Sequence, residues 1–197
     1  MDETVSFNDS KYQSRHPLKR FFLKIFTGKI TGLVRQIIPA NILDAGCGEG
    51  YMAKEILSVM PSLDYTGIDL SKQALKKAQK RVPDVIFIKG SLNSLPFKNN
   101  SFDLVICLEV LEHLNNPGEG LKELFRVTDK ICLISVPDEP LFSLLRFISG
   151  QDILKLGKHH QHRNFWNSKT FTSFVQTRFK KISIVKSVPW LICQAYK

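Results

Sequence analysis

The stretch ILDAGCGEGYMAKEIL, Ile42 to Leu57, decides how the chain folds. Ile42, Leu43 and Ala45 read as the end of a buried strand. Tyr51, Met52, Ala53, Ile56, Leu57 and Met60 recur as on a helix lying against a sheet. Between them Gly46, Gly48 and Gly50 alternate, and glycine inside a regular element weakens it. The cluster therefore marks a sharp turn or a close approach of backbone to a ligand. A strand, a glycine turn and a helix are the first half of a βαβ unit. Turns of this kind lie at the carboxyl ends of the strands of an open α/β sheet, where ligands bind.

The same alternation continues outward. DYTGIDLS reads as a strand ending at Asp69, KQALKKAQKRV as an amphipathic helix, and VIFIKG as a strand closed by Gly90. FDLVICLEV is a continuous apolar run, as expected of a strand buried on both faces. GEGLKELFRV suits a helix and KICLISVP a fifth strand stopped by Pro137. Strands alternating with helices imply a parallel sheet with right-handed crossovers. In the tail, SKTFTSFVQTRF is a helix with Ser168 as its expected N-cap. KISIVKSVP and WLICQAYK follow as a terminal β pair. The expected organisation is one domain: an N-terminal helical cap (1–40), a cofactor-binding core (41–137), a lid insertion (138–166), then the last helix and strand pair (167–197).

At 197 residues and 43% hydrophobic, the chain has the size and composition of a single soluble domain. No apolar run approaches ~18 residues, so no transmembrane helix is indicated. The start, MDETVSFNDS, is unlike a secretory signal, and a cytoplasmic location is expected, with peripheral membrane contact as an option. Cys47, Cys107, Cys132 and Cys193 are widely spaced and form no C-x-x-C pair, as in a reduced protein with buried thiols. The net charge of +10 is concentrated at the ends. Residues 141–197 hold ten Lys/Arg against one acid, and residues 11–40 hold seven and none. Either these ends face an anionic partner or they form a solvated basic surface.

Two kinds of cofactor meet such a turn. A dinucleotide fingerprint runs G-x-G-x-x-G, its third position small so that helix and strand pack closely. Here the spacing is G-x-G-x-G, Tyr51 is bulky, and Asp44 would repel a pyrophosphate. A phosphate-free ligand rich in amine and hydroxyl donors fits better, and S-adenosylmethionine is one. Asp69, at the end of the second strand, is placed to accept from ribose hydroxyls. With Ser71 it also suits a helix cap.

ILDAGCGEG, GIDLS, LPFKNNSFDLVICLEVLEHL and ICLISVP together resemble the class I S-adenosylmethionine-dependent methyltransferases. The likeness is to the small-molecule branch that includes the ubiquinone and menaquinone biosynthesis enzymes, and it spans roughly residues 40–137. It implies a doubly wound, Rossmann-like, seven-stranded, mostly parallel α/β sheet with an antiparallel C-terminal edge. Carried over by motif, Asp44, Ala45, Gly46, Cys47, Gly48 and Gly50 would line the methionine and ribose parts of the cofactor. Asp69 and Leu70 would meet ribose and adenine, and Leu108 would offer its carbonyl to the methionine amine. Gly90-Ser91-Leu92 stands where the family often has Gly-Asp-Ala. Ser91 keeps an acceptor for the adenine amino group but makes that bond neutral, a loss on the order of 1 kcal/mol. Tyr12 lies in a segment resembling one whose Tyr closes over the cofactor.

Methyl transfer is an in-line displacement at an already activated carbon, so alignment and exclusion of water matter most. A base is needed only if the acceptor must lose a proton. Glu109 and His113, after the fourth strand, and His162, in a stretch resembling one that returns over the acceptor pocket, are the catalytic candidates. Glu112 reads as solvent-facing or capping. His159, His160 and His162 lack an acid or cysteine at ligand spacing, and no metal is expected. The expected partner is a small-molecule acceptor, anionic or hydrophobic. A nucleic-acid methyltransferase is the alternative, opposed by the lack of a base-flipping block after strand four. A cofactor-binding protein without catalysis is another, with Ser91 as its one hint. The basic segment HPLKRFFLKIFTGKI would place Leu18, Phe22, Ile25 and Phe26 on one helix face, to roof the acceptor pocket or to lie on an anionic membrane.

Overall fold

A computed structural model describes Tyr12, residues 16–139, Leu141 and residues 163–197. Most of the expected lid, with His159, His160 and His162, lies outside the described residues. The chain separates into two compact units, Met1–Ser91 and Leu92–Lys197. Its strands form a seven-stranded sheet in the order β3-β2-β1-β4-β5-β7-β6.

In the first unit, helix α1 (Pro17–Ile37) precedes β1 (Asn41–Ala45), α2 (Tyr51–Val59), β2 (Asp64–Asp69), α3 (Lys72–Arg81) and β3 (Ile86–Lys89). β1 pairs parallel with β2, with Ile42 opposite Tyr65 and Asp44 opposite Gly67, and β2 pairs parallel with β3. Ile42, Leu43 and Ala45 are fully buried. Pro17 suits the first helical position of α1, where the missing N–H has no partner to lose. Its packed face is Leu23, Phe26, Ile30 and Val34, and it lies against α2. This corrects the expected face: Leu18 is 48% exposed, and Phe22 and Ile25 are half-buried. The stripe that runs the length of the helix sets its rotation, and the aromatic cluster at its start follows.

In the second unit come β4 (Phe102–Leu108), a 3-10 turn (Leu111–His113), α4 (Pro117–Val127) and β5 (Thr128–Pro137). α5 (Ser168–Gln176), β6 (Lys181–Ser187) and β7 (Trp190–Tyr196) complete it. β4 and β5 pair parallel, and their middles are buried on both faces. β7 runs antiparallel to both β5 and β6, so the reversed strand sits inside the sheet and β6 forms the edge. The N-cap of α5 is Asn167 rather than Ser168. Asn167 Oδ1 accepts from the Thr170 N–H at 3.0 Å, and Thr170 Oγ1 accepts from the Asn167 N–H at 3.1 Å, a closed capping box. All four cysteines are free and buried.

Candidate functional site

The glycine turn is held by the end of β2. The N–H groups of Gly46 and Cys47 both donate to the Ile68 carbonyl, at 2.7 and 3.0 Å. Gly46, Gly48 and Gly50 have φ of 93°, 52° and 72°, left-handed conformations that L side chains rarely adopt. A side chain at Gly50 would also meet Ala78 Cβ at 3.0 Å, so α3 packs tightly on the turn.

Asp69 ties this geometry together. Its Oδ2 accepts from the Gly48 N–H at 2.9 Å and its Oδ1 from the Ser71 N–H at 2.8 Å. Ser71 is itself the N-cap of α3, accepting from the Ala74 N–H. The cap and ligand roles expected of Asp69 are compatible, because a carboxylate offers about four lone-pair sites and these two bonds use two. Leu70, beside it, is 63% exposed. Ser91 is half-buried, whereas Leu92 is buried and faces Gly120 of α4. Leu108 is half-buried at the end of β4.

Asp44 is buried, and its Oδ2 accepts from the Tyr65 hydroxyl at 2.7 Å. Burial raises its pKa to about 7, opposed by the Tyr65 bond and reinforced by the charge of Asp69. Burial, then the charges of Asp44 and Asp69, also push the Cys47 thiol far up, so it is no nucleophile. The Asp69 carboxylate, with Asp44 beside it in its ionised form, suits a ligand that carries positive charge and no phosphate, which fits the donor set of S-adenosylmethionine.

Tyr12 stacks on Tyr51, the first residue of α2, with centroids 4.3 Å apart and planes 4° from parallel. The Arg81 guanidinium lies 3.7 Å from the centre of the Tyr51 ring and donates to the Glu49 carbonyl of the turn. The bulk at Tyr51 that argues against a dinucleotide thus serves as a platform for Tyr12.

In the second unit, Glu109 follows β4 at φ 61°, strained for a residue with a side chain. Its N–H donates to the Ser135 carbonyl at 3.1 Å. Its carboxylate accepts from Ser135 Oγ at 3.3 Å and from the Trp190 indole N–H. Glu112, expected as a solvent-facing or capping residue, is 1% exposed. The N–H groups of Arg163 and Asn164 donate to the Glu112 carbonyl, and the Asn164 side chain donates to the carbonyls of Leu111 and Leu114. His113 closes this turn, half-buried. The segment after His162 therefore docks on the 3-10 turn that carries His113. At the carboxyl end of β5 an open cleft of about 590 Å³ is lined by Asp138, Glu139, Leu141, Asn167, Lys169 and Lys186. Burial raises the Asp138 pKa, and Lys186 opposes the rise.

Sequence reasoning did not find Tyr65, Arg81, Trp190 or Asn164. Each acts through a partner more than twenty residues away, and no local spacing signals such a pair. Among the described residues no group of three or more His, Cys, Asp or Glu is arranged to hold a metal ion.

Residues 43–133 match the family model described as a methyltransferase domain. The chain is 31% identical over 99 residues to a demethylmenaquinone methyltransferase of Thermotoga maritima, across 50% of this chain and 43% of that one. It is 35% identical over 92 residues to a malonyl-[acyl-carrier protein] O-methyltransferase of Halalkalibacterium halodurans, across 44% and 34%. The chain thus covers less than half the length of these relatives. Among solved structures, magnesium protoporphyrin IX methyltransferase from Synechocystis PCC 6803, with bound SAH, superposes at a TM-score of 0.70 and 17% identity. That match covers 100% of this chain and 90% of that one, and it speaks to the fold alone.

Proposed function

We propose that this chain, whose residues 43–133 match the methyltransferase domain, binds S-adenosylmethionine and passes its methyl group to a small-molecule or lipid-like acceptor. The observation that carries this reading is the pair of hydrogen bonds that the Asp69 carboxylate accepts from the Gly48 and Ser71 N–H groups. It fixes a carboxylate at the end of β2 with lone pairs left for ribose hydroxyls, beside an exposed Leu70 for the adenine face. In this reading Ala45 to Gly50 present backbone rather than side chains to the ligand. Ser91 accepts from the adenine amino group, and the Leu108 carbonyl takes the methionine amine.

The bound cofactor supplies a methyl group on a sulfonium, already activated for displacement. The chain's own residues orient and shield. Asp69 gives the turn the negative charge that a sulfonium and an ammonium group favour, and a bound cation in turn favours the ionised form of Asp44. Tyr12, stacked on Tyr51, covers the turn and excludes water. Glu109, fixed by Trp190 and Ser135, orients a donor group of the acceptor. His113 and His162 are the bases available if the acceptor must lose a proton.

Titration calorimetry with S-adenosylmethionine tests the reading. Asp69→Ala weakens binding by about 1.5–3 kcal/mol, the worth of a charged hydrogen bond. Gly48→Val abolishes it, by placing a branched side chain at φ 52°. Undiminished affinity in a folded Asp69→Ala protein would remove Asp69 from the site.

A further inference from the structure

The packed face of α1 leaves an opposite face to explain. With a helix turning about 100° per residue, Phe21 falls roughly opposite the stripe of Leu23, Phe26, Ile30 and Val34. Phe21 is 58% exposed and Leu18, beside it, 48% exposed, the two largest apolar groups that α1 shows to solvent before its last turn. On the other side of Phe21 stand Lys24 and Arg20, both exposed. Below them opens a cleft of about 510 Å³ lined by Tyr12, Pro17, Arg20, Phe21, Lys24 and Glu55, among others. Among the described residues Glu55 is the one acid on that cleft, against two cations, and residues 11–40 contain no acid at all.

We propose that the first turns of α1 are a docking surface for anionic membranes. Phe21 and Leu18 enter the boundary between headgroups and acyl chains. Arg20 and Lys24 lie along that boundary with their charged ends on lipid phosphates, as long basic side chains do at an interface. The helix stays anchored to the protein by its inner stripe, so docking requires no unfolding. Mean hydropathy is low and no described helix is long and apolar enough to cross a membrane, so the contact is peripheral. An acidic lipid surface suits this face better than a nucleic acid. Leu18 has no flat ring to stack on a base, and an aliphatic group beside an exposed Phe gains most by leaving water. The surface stands on α1 alone, independently of methyl transfer.

Co-sedimentation of the full chain with vesicles of phosphatidylcholine and phosphatidylserine tests this. The protein pellets with vesicles containing about 30% phosphatidylserine at low salt and is released as salt rises, because exposed charges are screened beyond about 8–10 Å. Each basic residue near such a surface contributes about fivefold, so Arg20→Glu with Lys24→Glu lowers binding by at least 25-fold. Leu18→Ser with Phe21→Ser, at exposed positions that leave the core intact, lowers it on the order of tenfold. The same charge reversal at exposed Arg178 and Lys180, distant in sequence, leaves binding within about twofold. Three outcomes each overturn the proposal. One is no binding to anionic vesicles at low salt. Another is equal loss from the two charge reversals. The third is unchanged vesicle binding in the Leu18/Phe21 variant, which would mark a general polyanion surface such as a nucleic acid would use.

Discussion

The Tyr65 hydroxyl donates to the Asp44 carboxylate at 2.7 Å across two parallel strands, and both residues are buried. Burial, which the Tyr65 bond opposes only in part, holds Asp44 at a pKa near 7 in the folded protein, where an unfolded chain would have 3.8. Between those values the folded state binds the proton more tightly. The sign follows: Asp44 stabilises the fold fully below about pH 4, and this contribution is lost as pH rises towards 7. Asp44→Asn should flatten that part of the stability profile and gain on the wild type at pH 8, by an amount on the order of a few kcal/mol. Tyr65→Phe should do the reverse at pH 8, costing about 1–3 kcal/mol because a buried carboxylate loses its donor. Urea denaturation of the three proteins between pH 4 and 8 measures both. Parallel profiles for wild type and Asp44→Asn would show that Asp44 does not titrate differently in the two states.

Gly67 is the second lever in this region. A Cβ there would lie 2.5 Å from Phe87 Cδ1 and 3.0 Å from Cys47 Sγ. The Phe87 ring of β3 covers the strand at a position only a hydrogen can fill. Gly67→Ala should destabilise by about 1–3 kcal/mol through overpacking. Adding Phe87→Leu should recover a good part of that loss. Thermal melts of the single and double variants decide it, and no recovery in the double variant would locate the strain elsewhere.

These two pairs show where sequence reading stops. The order of elements, the turn at Gly46–Gly50 and the strand-end position of Asp69 follow from periodicity and glycine spacing, which are local. The packed face of α1 and the burial of Glu112 depend on what comes to lie against them, whereas the cap at Asn167 is local and turns on one hydroxyl. Ser168 looks as good a cap as Asn167 on paper. The choice is made by Thr170, whose hydroxyl reaches back to the Asn167 N–H. Glu112 looks solvent-facing until Arg163 and Asn164 return to cover its turn.

Asn164 donates from Nδ2 to the Leu111 and Leu114 carbonyls, at 3.3 and 2.8 Å, and so staples the turn that carries Glu112 and His113. Asn164→Ala should cost about 1–3 kcal/mol, since two carbonyls lose a donor. Asn164→Asp should cost more, because a carboxylate has no proton to offer and repels both carbonyls. The comparison separates a hydrogen-bonding role from mere filling of space. If Asp is tolerated as well as Ala in urea denaturation at pH 8, the side chain is not acting as a donor.

Glu109 holds a left-handed backbone at the end of β4, and the contacts that keep it there connect β4 with β7. A non-glycine residue at φ 61° costs about 1–2 kcal/mol. The Trp190 indole and Ser135 hydroxyl, both donating to one carboxylate, offset that cost. Trp190→Phe keeps the ring and removes the N–H, so it should destabilise by about 1.5–3 kcal/mol, the range for hydrogen bonds to charged groups. Glu109→Gly removes the carboxylate but relieves the backbone, and its net cost should be smaller. In the Glu109→Gly background, Trp190→Phe should then cost at least 1 kcal/mol less than it does alone, a coupling typical of residues in direct contact. Independent, additive effects would mean the indole bond contributes little. Activity adds a second readout, because Glu109→Gln keeps size and backbone while losing charge. If Glu109 orients the acceptor, turnover under saturating S-adenosylmethionine should fall well beyond any loss of folded protein, with cofactor affinity unchanged.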